Sequence, residues 1–388
     1  MTAMKTTYIG ELIRRERERL GISQKELAQK AGMKNYQTLL AIEKGKREIK
    51  LSELYRIARS LGLSPSYFLE SQERAYPEVL WRKCMDSTEC RRLENLLDQY
   101  CKNFQNLNKL IGKDYKKFVP PPSTSFKRER YKNEFNFARE LAYDLLKNWN
   151  LGEYPIRNLI DSLEEEGILL FTFPLKDTCS AASIIGEFGA AVLLNRDNRP
   201  WRIAFDIAHE LFHLITWNLY EHSEIYDDEE RGKSIIEKYA DTFAATLLMP
   251  ENKLKEEFEK AEVGGKVSRE DFAEIACKFG VSIDALTYRL KDLRLFDPEI
   301  LEAIRNDIEL KKYFQQIYTR DYDYISKKIK QLPREYVRVA VKAYIAEKIS
   351  KMKLAEYLGK KVGELEHFLV KEYNLSLKGE MNIAYHPA

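Results

Sequence analysis

Apolar side chains recur at helical spacing over residues 9–69, in five short runs separated by explicit punctuation. The pattern predicts helices at Ile9–Leu20, Gln24–Ala31, Tyr36–Lys44, Leu51–Leu61 and Pro65–Leu69. Ser23 and Glu26 predict a capping box, Gly32 and Gly45 close the second and third helices, and Ser64-Pro65 opens the fifth. The short turn around Gly32–Lys34 gives helices two and three helix-turn-helix spacing. Helical periodicity continues over Tyr76–Asn108, with Leu80, Cys84, Leu93, Leu97 and Cys101 on one side, and predicts a stalk. Pro120-Pro121-Pro122 then marks a linker, and the basic run Phe126–Lys132 reads more simply as a solvated face than as a second DNA contact.

From residue 135 the pattern alternates between periods. Phe137–Trp149 and Pro155–Gly167 are amphipathic helices, while Ile168–Phe173, Ala181–Ile185 and Ala190–Leu194 are short apolar strands, the last two a hairpin around Gly186–Gly189. Three strands make a small sheet whose edge can accept an extended peptide. Trp201–Trp217 is an apolar run without Pro or Gly and predicts a buried helix. A second helical run, from Glu237, ends at Met249-Pro250. The acidic stretch Tyr220–Gly232 between them is a loop. Ser268–Leu295 has helix-turn-helix periodicity with Gly280 in the turn but no basic face, so it reads as a packing element. Residues 297–373 continue as helices. The expectation is a mainly α, multidomain chain: a head over 1–72, a helical stalk and Pro-rich linker over 73–134, an α+β body over 135–295, and a helical C-terminal domain of unknown role over 296–388.

Composition narrows the class. The 44% apolar and 32% charged fractions are those of a soluble globular protein, and no apolar run approaches the roughly 18 residues that span a bilayer. A net charge of +3 excludes a generic polyanion binder, yet residues 1–70 hold fourteen Lys and Arg against eight Glu, a local +6. That asymmetry is the footprint of a phosphate-binding head on a neutral body. Gln24, Lys34, Lys44, Lys46 and Arg47 are candidates for phosphate, and Asn35, Gln37 and Thr38 for base edges in the major groove. The alternative is a five-helix protein-binding module. Five cysteines at 84, 90, 101, 179 and 277, with no secretory apolar segment near Met1, indicate free thiols in a reducing cytoplasm. Cys179, just ahead of the hairpin, is either a plain buried thiol or a thiolate that reaches a metal.

The chemistry gathers at His209-Glu210-Leu211-Phe212-His213. On a helix the two histidines lie one turn apart on one face and can grip a single zinc ion, with Glu210 beside it as a base for water. Glu237 offers a third ligand, and Asp241, one turn further on, can accept the second ring proton of a ligand histidine. The bland alternative is two core histidines and a solvated glutamate. Tyr220, His222 and Tyr226 are candidates for stabilising an oxyanion, or are simply exposed.

The blocks AAVLLN (190–195), RIAFDIAHELFHL (202–214) and EKYADTFAATLLMP (237–250) resemble the ImmA/IrrE family of zinc metallopeptidases, bacterial enzymes that cleave a partner transcriptional repressor. The resemblance implies a zincin-like body with the sheet beside the metal helix, zinc on His209, His213 and Glu237, and Glu210 as catalytic base. Phe212 departs from a family that often has Gly there. The segment SQKELAQKAGMKNYQTLLAIEKGKR resembles Cro/C1-type repressor heads, with one residue more than usual between Gly32 and Glu43. This implies a homodimer on a double-stranded DNA operator. The joint expectation is a transcriptional regulator carrying a zinc-dependent endopeptidase of the HExxH, gluzincin-like type, whose protein substrate is a repressor. The alternatives are a regulator with a structural or silent zinc site in a sensing and dimerisation platform, and an antitoxin-like protein.

Overall fold

The computed structural model describes residues 9–377 except 11, 15, 18–21, 34, 62, 64, 66–67, 69–78, 85–86, 127–130, 132, 176–178 and 221–233, and excluding the side chains of 79, 81–84, 87–89, 91 and 179. It forms two compact units, one of residues 1–77 with 84–100 and one of 78–83 with 101–388.

In the head, α1 (Gln24–Lys30), α2 (Tyr36–Glu43) and α3 (Leu51–Ser60) form as the pattern predicts, and residues 9–17 are helical wherever described. The Ser23 hydroxyl accepts from the Glu26 amide at 3.2 Å while Glu26 accepts from the Ser23 amide at 2.6 Å. Ile13, Leu27, Leu39, Ile42, Leu54, Ile57 and Phe68 close the core. Within it lies an ion pair: Arg17 donates to both oxygens of Glu43, at 2.7 and 3.0 Å, and Gln24 Nε2 donates to Glu43 as well, at 2.7 Å. Burying two charges is tolerable only when their donors and acceptors are satisfied in this way.

The predicted stalk is not one helix. Val79–Cys84 is β1, and α4 runs from Ser87 to Leu110. Val-Leu-Trp favours extended backbone, and a strand edge in the body supplies hydrogen-bond partners that local periodicity cannot anticipate. The expected strands β2 (Ile168–Phe173), β3 (Cys179–Gly186) and β4 (Gly189–Asn195) form, and β1 joins them in the order β1-β3-β4-β2. β3 pairs antiparallel with β4 through the Gly186–Gly189 turn, and β2 pairs parallel with β4. The β3 edge of the predicted three-stranded sheet is therefore covered by β1. On the far side, the Thr172 amide and hydroxyl donate to the carbonyls of Gln331 and Lys330 at 3.1 and 3.0 Å.

The cysteine expectation needs a correction. Cys101 and Cys277 are buried thiols outside any disulfide, but Cys90 is disulfide-bonded.

The body's helices begin with α5 (Glu134–Asn148) and α6 (Leu159–Glu165), close to the predicted bounds. α7 (Pro200–Ile215) starts with Pro200 in its first turn, where the missing N–H costs nothing, and packs against β3 and β4 on one side and α8 (Ile235–Leu248) on the other. α8 also packs on α5, so α7 is enclosed and every residue from Ala208 to Ile215 is buried. After α9 (Glu251–Ala261), the pair α10 (Arg269–Phe279) and α11 (Ile283–Asp292) turns at Gly280, left-handed at φ +69°, with the Ile156 side chain so close that a Cβ there would collide. Phe272, Ile275, Leu286 and Leu290 of this pair lie in the core that also holds Leu211, Phe243, Leu301, Phe314 and Ile325.

Candidate functional site

The helix register brings together what the spacing proposed. His209 Nε2 lies 3.1 Å from His213 Nε2 and 3.1 Å from Glu237 Oε2, and His213 Nε2 lies 2.9 Å from Glu237 Oε1. Among the described residues this is the group of three side chains whose donor atoms can hold one metal ion. Ser234 caps α8, its hydroxyl accepting from the Ile236 amide at 3.2 Å, and thereby places Glu237 in the helix's first turn. Asp241, one turn on, lies with Oδ1 2.9 Å from His209 Nδ1.

These atoms suit a cation. A ring proton of His209 on Nδ1, donated to Asp241, would leave its Nε2 lone pair for a metal ion held with His213 Nε2 and Glu237. Ligands 2.0–2.1 Å from a tetrahedral zinc are about 3.3 Å apart, so spacings near 3 Å need only a slight relaxation. Burial by itself would raise the Glu237 carboxyl, but the two imidazoles, His209 foremost, hold it well below the usual carboxylate range. His213 differs from His209: its buried Nδ1 has no hydrogen-bond partner among the described residues. Glu210, next in sequence to His209, is buried at 1% exposure.

Phe212, where a glycine was the family expectation, is accommodated. Its ring packs 5.6 Å from Phe243 and 6.2 Å from Tyr220, filling the seam between α7 and α8. Tyr220 donates to Glu134 at 3.0 Å. His222, Tyr226 and the Cys179 side chain lie outside the described residues. Sequence reading missed Asp206, buried one turn before His209, which holds Arg202 at 3.1 Å and Asn198 at 3.2 Å. The signal was an acid inside an apolar helix, where a partner is obligatory.

In the head the candidate DNA contacts divide. Gln37, Lys44 and Lys46 are exposed and Thr38 is half-buried. Gln24 turns inward to Glu43, and Arg47 pairs with Glu53 at 3.0 Å. Asn35 caps α2, its Oδ1 accepting from the Gln37 amide at 2.8 Å, so that oxygen serves the fold rather than a base edge. Lys34 lies outside the described residues.

Comparison with known proteins agrees with this division. Residues 13–68 match the helix-turn-helix family model, and residues 163–291 match that of the IrrE N-terminal-like domain. An HTH-type transcriptional regulator of Methanothermobacter thermautotrophicus is 47% identical over 51 residues, 13% of this chain and 72% of its own length. A transcriptional regulator in the ATPase CF(0) region of Rhodospirillum rubrum is 33% identical over 76 residues, 19% of this chain and 69% of its own. No solved structure matches the chain.

Proposed function

Because this chain belongs to the XRE-type helix-turn-helix transcriptional regulators and carries an IrrE N-terminal-like domain, we propose that it is a DNA-binding regulator whose body is a zinc-dependent endopeptidase that cleaves a repressor-type protein. The observation that carries this reading is the convergence of His209, His213 and Glu237, with Glu210 adjoining them on the same helix. When bound, a zinc ion supplies Lewis-acid polarisation of the scissile carbonyl and makes a nearby water more acidic. Glu210 takes the proton of the attacking water and returns it to the leaving amine. His209, His213 and Glu237 would hold the ion, and Asp241, 2.9 Å from His209 Nδ1, would orient that ring for ligation. The head, a homodimer in this reading, grips a two-fold operator in the cytoplasm through α2 and its flanking lysines.

Glu210→Gln is the direct test. The zinc-loaded variant is expected to keep its metal content and unfolding temperature, while new N-termini released from a peptide library, counted by mass spectrometry, fall about a hundredfold or more. Equal cleavage by wild type and variant overturns the assignment. A second reading, a structural metal in a sensing platform, draws on the covered edge of β3. In that case chelation unfolds the body and Glu210→Gln changes nothing.

A further inference from the structure

A cavity of about 390 Å³ opens at the carboxyl ends of the parallel strands β2 and β4. The body contributes Thr172 of β2, Arg196 just after β4 and Ile203 of α7 to its lining, and the later chain contributes Ile325, Phe368 and Tyr373 among others. These walls are held in place. The Arg196 amide donates to the Phe173 carbonyl at 2.9 Å, and the Tyr373 hydroxyl donates to the Leu332 carbonyl at 2.9 Å while accepting from the Leu332 amide at 3.2 Å. Both the volume and the position at the ends of parallel strands are those of a small-ligand site.

Charge decides what fits. Three cations, Arg196, Lys330 and Lys360, line the cavity against one carboxylate, Glu372, so two positive charges are unmatched. Lys330 Nζ lies 3.4 Å from Glu372 Oε2, a loose pair, and Lys360 Nζ donates at 3.1 Å to Gln331 Oε1, which is neutral. An ammonium has three N–H bonds, so both lysines keep donors to spare. The Arg196 side chain is exposed and has no hydrogen-bond or ion-pair partner among the described residues. A cationic occupant would meet like charge, and a wholly apolar one would strip water from these donors without replacing it. A phosphate monoester carries close to two negative charges at neutral pH, which matches the surplus. Ile203, Ile325, Ile329 and the Phe368 ring leave the remaining wall to an apolar group.

We propose that this cavity binds a small phosphate monoester, with the phosphate on Arg196, Lys330 and Lys360 and the apolar part on the isoleucines and Phe368. The guanidinium supplies a planar fork for two phosphate oxygens, and the lysines supply point charges. Such a ligand touches the body through Arg196 and the later chain through Lys330 and Lys360, so its binding ties the C-terminal helices to the start of α7. The lining shares no residue with the His209/His213/Glu237 set, and the inference stands apart from the peptidase reading.

The test is calorimetric titration of the full-length protein, zinc-loaded and chelator-treated, with phenyl phosphate, inorganic phosphate and benzylamine. Phenyl phosphate is expected to bind equally in both metal states and about tenfold more tightly than inorganic phosphate, and benzylamine not at all. Arg196→Gln and Lys360→Gln should each weaken phenyl phosphate about tenfold or more, while Lys46→Ala in the head leaves it unchanged. Hydrogen exchange over residues 365–373 should slow when phenyl phosphate is bound. Arg196→Gln removes no contact within the fold, so it decides the matter even where Lys360→Gln is unstable. Absence of binding overturns the proposal, as does an affinity that survives Arg196→Gln. Binding that needs zinc would place the phosphate on the metal-binding set, and binding lost in Lys46→Ala would place it on the head; either result also overturns it. Equal affinity for inorganic and phenyl phosphate rules out the apolar half of the site and with it the monoester.

Discussion

Asp241 Oδ1 sits 2.9 Å from His209 Nδ1, one helical turn beyond Glu237, so a single face of α8 carries both the proposed metal ligand Glu237 and the group proposed to orient His209. Removing the outer carboxylate leaves the donor set intact but frees the tautomer and rotamer of His209. Asp241→Ala is therefore expected to weaken zinc binding about 10–100-fold in a chelator competition, without changing operator binding by the head. Unaltered zinc affinity would show that Asp241 plays no orienting part.

The buried ion pair of the head makes a second prediction. Glu43→Ala strands the Arg17 guanidinium in the core and takes the partner from Gln24. Loss of one member of such a pair costs about 3–5 kcal/mol. The head's thermal transition should fall sharply and operator binding with it, while zinc content stays at the wild-type level.

Substitutions on and around α2 separate capping from contact. Asn35→Ala should lower head stability by about 1 kcal/mol through the lost cap. Lys46→Ala should weaken binding to every DNA sequence alike and reduce the salt dependence by about one phosphate contact. Gln37→Ala should instead reduce discrimination between operator and random DNA, by about 1–3 kcal/mol at one base pair. Titrations on two DNA sequences at several salt concentrations distinguish these patterns.

Acid sensitivity has an identifiable source in Glu257. It is buried, which would raise its pKa, but Lys278 at 2.6 Å and the Tyr154 hydroxyl hold the carboxyl at about 2, against an ordinary 4.5. A folded-state pKa below the unfolded one means stability that is complete above about pH 4.5 and lost as pH falls towards 2. The amount is about 3 kcal/mol. Glu257→Gln should remove most of that slope from denaturation midpoints measured between pH 5 and 3. An unchanged slope would assign the acid loss elsewhere.

The sequence by itself determined a good deal of this. Ser23/Glu26, Gly32 and Gly45 punctuate the head, and the apolar run without breakers made α7 a buried helix, because capping and periodicity are local and act within a few residues. His209, Glu210 and His213 were legible for the same reason, since their spacing on one helix fixes their geometry. Tertiary structure alone decided the rest. Glu237 reaches the histidines only because α8 packs on α7, and the side chains of Gln24 and Asn35, candidates for DNA contact, are bonded to Glu43 and to a helix end. Residues 79–84, with a helical period, became a strand because β3 left backbone groups to pair. Local pattern records which face of an element is apolar. It carries no record of which distant backbone or charge will satisfy the polar groups that folding buries.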